Sequence, residues 1–162
     1  MDKPSVLWIE DSARFELRSL VGPLLFSGKY DFNLAEDVTA AMDFLRNKEY
    51  AAVIVDIRLP PGIDPEWRTH YRNSGADRVH AQLGLKLLYW LLGKDTAIHS
   101  ETPPAWVKPW NIGVFTVESQ REIQKNLDEL GISVFKQKLA GLPDTILLDL
   151  IEELLVQVKQ QA

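Results

Sequence analysis

The chain has no cysteine. Disulfide bridges, thiol nucleophiles and thiolate metal sites are therefore excluded. Its three histidines, His70, His80 and His99, lack metal-ligand spacing and have no neighbouring carboxylate pattern, so they read as surface residues. Long hydrophobic runs are also missing. The longest, Leu87 to Leu92, has six residues, against the ~18 that a membrane span needs. Val6 to Ile9 runs directly into Glu10 and Asp11, which leaves no signal-peptide core. Basic charge is in deficit: 18 Lys and Arg face 23 Asp and Glu, for a net charge of -5. That balance argues against direct nucleic-acid binding. Gly84, Gly113 and Gly131 stand apart and form no phosphate-binding loop. No internal repeat or low-complexity segment interrupts the chain. These absences lead us to expect a cytoplasmic protein that does not insert into membranes.

What is present fits one domain. The 162 residues are 46% hydrophobic and 25% charged, an ordinary globular composition. Short apolar runs alternate with helical stripes. Ser5–Ile9, Phe32–Ala35, Ala51–Val55, Ile112–Thr116 and Ile132–Phe135 read as strands. Between and after them, helical spacing covers Phe15 to Phe26, Val38 to Leu45, Leu83 to Leu92, Ile123 to Leu130 and Ile146 to Leu155. Ser119 with Glu122 has the form of a capping box, Gly131 closes the helix it opens, and Asp144 is a candidate cap for the last helix. Continuous apolar strands mark a parallel sheet covered on both faces. Five such strand–helix units predict a doubly wound α/β domain spanning 1–162.

In such folds the chemistry sits beyond the carboxyl ends of the strands. Here the first strand ends in Glu10 and Asp11, the third in Asp56 and the fourth in Thr116, and the fifth is followed by Lys136 and Lys138. Three carboxylates at one edge raise each other's pKa unless a cation joins them. Oxygen donors with water suit Mg2+. A hydroxyl and an ammonium beside that metal can bind phosphoryl oxygens. The combination points to an aspartate that accepts a phosphoryl group.

The segments VLWIEDS, VIVDIRLP, LGLKLLYWL, VFTVES and GISVFKQK, in this order, resemble the receiver domain of two-component response regulators. The resemblance spans Val6 to about Val158. It implies a flavodoxin-like five-stranded parallel sheet of order 2-1-3-4-5. It also implies that Asp56 is the phosphoacceptor and that Mg2+ is held by Asp11, Asp56 and the main-chain carbonyl of Arg58, with Glu10 acting as partner to Asp11. Thr116 takes the place of the switch hydroxyl and Phe135 that of the switch aromatic. Lys138, 22 residues beyond Thr116, has the family spacing for the lysine, and Lys136 does not. A histidine kinase or histidine phosphotransfer protein would be the donor. A downstream protein would read the output, and a homodimer is compatible with the family. The chain would be a stand-alone signalling protein, not a classical enzyme, with no appended output domain.

Three features depart from the pattern. Val117 follows the threonine where the family prefers a small residue. Leu139 follows the lysine in place of a cis proline, and a trans bond is expected there because a non-proline cis bond costs ~2.5–4 kcal/mol. Two stretches, at about 60–82 and 93–110, read as insertions around the third helix. Trp106 and Trp110 are expected to pack the second onto the domain. In the first, Arg68, Arg72 and Arg78, with Arg58 just before it, offer either a solvated surface or a lid or partner-binding face. These departures motivate an alternative, a phosphorylation-independent interaction module. A phosphohydrolase commonly needs a second aspartate two residues after the nucleophile, and Arg58 stands there. A flavin-binding role lacks its phosphate loop.

Overall fold

A computed structural model describes residues 2–12, 17–74 and 81–161. The strands are β1 (Ser5–Ile9), β2 (Asp31–Ala35), β3 (Ala52–Val55), β4 (Ile112–Thr116) and β5 (Val134–Gln137). They form one parallel sheet in the order β2-β1-β3-β4-β5, the order the sequence implied. The helices are α1 (Arg18–Ser27), α2 (Val38–Asn47), α3 (Pro65–Asn73), α4 (Leu83–Leu91), α5 (Gln120–Leu130) and α6 (Ile146–Gln160). Phe15, Arg78 and His80 lie outside the described residues.

The period of two along each strand divides the core. Leu7, Ile9, Val53, Val55 and Val114 point to one face, where α2, α3, α4 and α5 cover them. Val6, Trp8, Ala52, Ile54, Phe115 and Val134 point to the other, under α1 and α6. All four residues of β3 and all five of β4 are buried, which is why both read as unbroken apolar runs. Each such aliphatic side chain contributes about 1.5–3 kcal/mol when removed from water. No described helix is long and apolar enough to cross a membrane.

Several boundaries move for identifiable reasons. The fifth strand begins at Val134, not Ile132. Gly131 takes a left-handed conformation, and the Ile132 amide donates back to Leu127 O at 3.0 Å. Ile132 thus closes α5 and is not available to start the strand. The shift places Lys136 on the strand, exposed, and Lys138 just past its end. Asp144 does not cap α6. Thr145 is the capping residue, without a side-chain cap bond, and the Ile146 amide donates to Pro143 O at 3.0 Å. Ser119 does cap α5, its hydroxyl accepting from the Glu122 amide at 3.3 Å.

The described parts of the two long stretches are structured and joined. The first contains α3, which the hydrophobic pattern alone does not show because only Trp67 on it is buried. The local signals were present in Asp64 and Pro65. The Asp64 carboxylate accepts from the amides of Glu66 (2.8 Å) and Trp67 (3.4 Å), and Pro65 opens the helix. The second stretch packs through Trp106 against Tyr50 at 6.2 Å between ring centroids. Trp110 is half-buried, and its carbonyl accepts a 3.4 Å bond from the Gln157 side chain on α6. His99 ties the two stretches together and is no surface residue, since 4% of it is exposed. It donates from Nε2 to Asp64 at 2.9 Å and accepts at Nδ1 from the Glu101 amide at 3.1 Å. Its ring lies between Trp67 and Trp90. His70, half-buried, bonds to Ile98 O at 2.7 Å through Nε2. Sequence distance hid these partners: Asp64 is 35 residues from His99.

Candidate functional site

The strand ends are fixed by the sheet's own ladder, which runs one step past each strand. The Glu10 amide donates to Ala35 O at 2.8 Å, Asp56 N to Ile9 O at 3.1 Å and Lys138 N to Thr116 O at 2.7 Å. Glu10, Asp56 and Lys138 are therefore held by backbone bonds before any side chain acts. The peptide leading out of Lys138 is trans, as no cis peptide bond occurs among the described residues.

Glu10, Asp11 and Asp56 converge, each with a carboxylate oxygen within 4.8 Å of the others'. Glu10 is fully buried, Asp56 is buried and Asp11 is exposed. Lys138 reaches between the two buried acids. Its Nζ donates to Asp56 Oδ2 at 2.9 Å and forms a short ion pair with Glu10 Oε2. Glu10 also accepts from the Ser12 amide at 3.2 Å. Burial, and then the Asp56 charge, push the Glu10 carboxyl up to about 8 against the opposing pull of Lys138. Burial lowers the Lys138 ammonium, but Asp56 and Glu10 outweigh it, so its pKa stands above the ordinary lysine value. Three carboxylates face one ammonium, which leaves room for a further cation. The donors are all oxygens, and one of the three acids is open to solvent. That set is compatible with Mg2+, which keeps several waters and takes few carboxylates.

Thr116 is fully buried at the end of β4. Its Oγ1 accepts from the Glu118 amide at 3.4 Å, and among the described residues its own proton has no acceptor. Val117 turns outward, 46% exposed. Phe135 is half-buried against the core on the α5 side. The Arg58 amide lies 3.4 Å from Asp56 Oδ1, while its guanidinium turns to Glu118 and donates from Nε at 2.6 Å.

That last bond joins the loop after β3 to the loop after β4. Glu118 is 3% exposed. Burial pushes its carboxyl up, but bonds from Arg58, Glu122 and Gln82 outweigh burial and hold it below the usual value. The Glu118 bond raises Arg58 in turn. The sequence reading missed Glu118, because an acid after a strand is usually solvated. It also missed what Gly84 does. A Cβ there would lie 1.9 Å from Asp56 O, and the Gly84 amide donates to Ile57 O at 2.9 Å. The first turn of α4 thus rests directly on the backbone of Asp56. A glycine inside an apolar helix is the signal that could have shown it.

No family model and no curated protein matches this chain. Solved structures do. A CheY-like response regulator receiver domain protein from Methanospirillum hungatei is 17% identical, with a TM-score of 0.64 over 99% of this chain and 100% of that one. The receiver domain of a Francisella response regulator is 16% identical (TM-score 0.59, 99% and 100% covered). A sensor protein from Polaromonas is 18% identical (TM-score 0.60, 97% and 99% covered). The chain therefore has the fold of CheY-like receiver domains over nearly its whole length. The sheet order is the one the sequence resemblance implied.

Proposed function

We propose that the chain is a phosphoacceptor receiver, in which Asp56 takes a phosphoryl group from a histidine kinase or a histidine phosphotransfer protein. The observation that carries this reading is the arrangement around Asp56: a buried carboxylate at a strand end, 2.9 Å from a lysine, beside two further acids.

In the transfer, a carboxylate oxygen of Asp56 bonds to phosphorus as the bond from phosphorus to the donor nitrogen breaks. The electron pair of that bond stays on the donor imidazole. Asp11 and Asp56, with the Arg58 carbonyl, would hold Mg2+, and Glu10 would support it. Bound there, the ion would neutralise phosphoryl oxygens as charge moves between donor and acceptor. Lys138 keeps its charge because two acids face it, and it orients Asp56 by a direct bond. Thr116 has a hydroxyl proton to give to a phosphoryl oxygen. The product carries added negative charge, of order -1.5 to -2 by analogy with other phospho-residues. That charge falls beside the Arg58–Glu118 pair, so the loop after β4 and the face of β5, with Phe135, would respond. A downstream protein would read that face.

The test is incubation with acetyl phosphate and Mg2+, followed by intact mass. One added phosphoryl group is expected, absent in Asp56→Asn and lost on treatment with hydroxylamine. No adduct at any donor concentration would refute the proposal.

A further inference from the structure

Arg68 and Arg72 stand four residues apart on α3 and are both exposed. That spacing puts them on one face, a helical turn apart. Among the described residues neither meets a carboxylate. Arg72 gives a 3.2 Å bond to Thr69, and among the described residues Arg68 forms no ion pair. The acids of the same element are already engaged. Glu66 accepts from the Ser100 amide at 2.8 Å and from its hydroxyl, and Asp64 caps the helix and holds His99.

The two arginines line an open groove of about 510 Å3 with Pro61, Gly62 and Tyr71. Tyr71 also lines a smaller cavity of about 210 Å3 that includes Asp11 and Arg58. The basic groove therefore borders a cavity that Asp11 opens onto. Ile63, next in the chain to Gly62, is 82% exposed and adds an apolar contact. The base is rigid. Trp67 is fully buried and donates to the Met42 sulfur at 2.7 Å, and His70 and Asp64 anchor α3 to the second stretch. The helix backbone is thus set before a partner arrives, and binding has to order only the two arginine side chains.

We propose that this groove seats an acidic helical segment of a partner protein. Carboxylates one turn apart would meet Arg68 and Arg72, and an apolar side chain would lie against Tyr71 and Ile63. Charge complementarity selects this occupant. The protein carries a net charge of -5, so an acidic partner is repelled generally and attracted here, which fixes where it docks. The docking itself does not depend on phosphorylation. Its use by a protein that exchanges or senses phosphate rests on the function proposed above.

The test uses the 15N-labelled full chain and a synthetic 16-residue amidated helical peptide with Glu at i, i+4 on one face and Leu beside it. Amide shift changes should concentrate at residues 61–73. Affinity should fall at least tenfold between 50 and 300 mM NaCl, and at least tenfold when Gln replaces Glu in the peptide. Arg68→Glu with Arg72→Glu should abolish the shifts, while acetyl phosphate should label Asp56 at the rate seen without the substitutions. If that double variant folds poorly, Arg68→Ala with Arg72→Ala gives the same comparison. Equal binding of the Gln peptide, or shifts centred elsewhere, would overturn the proposal. If the unsubstituted chain takes no phosphate yet the Glu peptide still shifts 61–73, the phosphoacceptor reading fails and the docking site stands.

Discussion

Replacing Glu10 with glutamine should make this protein more stable, and increasingly so as pH rises. Glu10 is fully buried and faces Asp56. Its carboxyl moves from an ordinary 4.5 to about 8 on folding. A raised carboxyl pKa means that the folded state binds the proton more tightly than the unfolded one. Stability attributable to this group is therefore intact below pH 4.5, declines as pH rises from 4.5 to 8, and levels off above 8. Integrating over that window gives a penalty of about 3 kcal/mol at pH 7 and about 5 kcal/mol at pH 9. Glutamine has nearly the same shape and carries no charge, but its one oxygen cannot serve both Lys138 and the Ser12 amide, and the lost bond costs about 1 kcal/mol. At roughly 2–4 °C per kcal/mol for a chain of this size, the remaining gain of about 2 kcal/mol should raise the melting temperature of Glu10→Gln by about 4–8 °C at pH 7 in EDTA. Mg2+ should close part of that gap by raising the melting temperature of the wild type more than that of the variant. Thermal melts followed by circular dichroism at pH 5, 7 and 9, with EDTA or with Mg2+, measure all of this. A variant less stable than wild type at pH 9, or a difference that does not grow with pH, would refute the reasoning.

Three other outcomes follow from the same packing. Lys138→Met removes the ammonium from two buried acids and should cost about 3–5 kcal/mol at pH 9 in EDTA, less at pH 7, where Glu10 holds its proton; equal urea midpoints at pH 9 would contradict it. Gly84→Ala forces a methyl group into Asp56 O and should cost about 3 kcal/mol while weakening Mg2+ binding, as read by denaturation and calorimetry; an unperturbed Mg2+ affinity would show that α4 does not support Asp56. His99→Ala strips Asp64 of its partner between two tryptophans and should cost about 2–4 kcal/mol. It should also speed amide exchange in α3 before it affects β1 or β3, and uniform exchange would argue against the link between the two stretches.

How much could be read before folding differs from residue to residue. Asp56, Thr116 and Lys138 were legible because each ends or follows a strand, and a parallel sheet sends every strand end to the same edge. The order of those ends in the chain already gave the composition of the pocket. Spacing favours Lys138 over Lys136. The ladder bond from Lys138 N to Thr116 O shows why it works: the chain is still paired to β4 at that point. Glu118 and Arg58 were not legible as a pair, because they are 60 residues apart and meet only where two loops cross. His99 was misread as a surface residue for the same reason.

The sequence alone determined the sheet, its doubly wound class and the set of acids and lysine at its edge. Those depend on the hydrophobic period and on strand direction, which are local properties repeated along the chain. The tertiary structure decided which charges are buried, and therefore which pKa values move. It also decided that Gly84 carries the backbone of Asp56, and that α3 and the stretch 93–110 form one body around Trp67 and His99. Burial and pairing are sums over neighbours from distant segments, and no local pattern contains them.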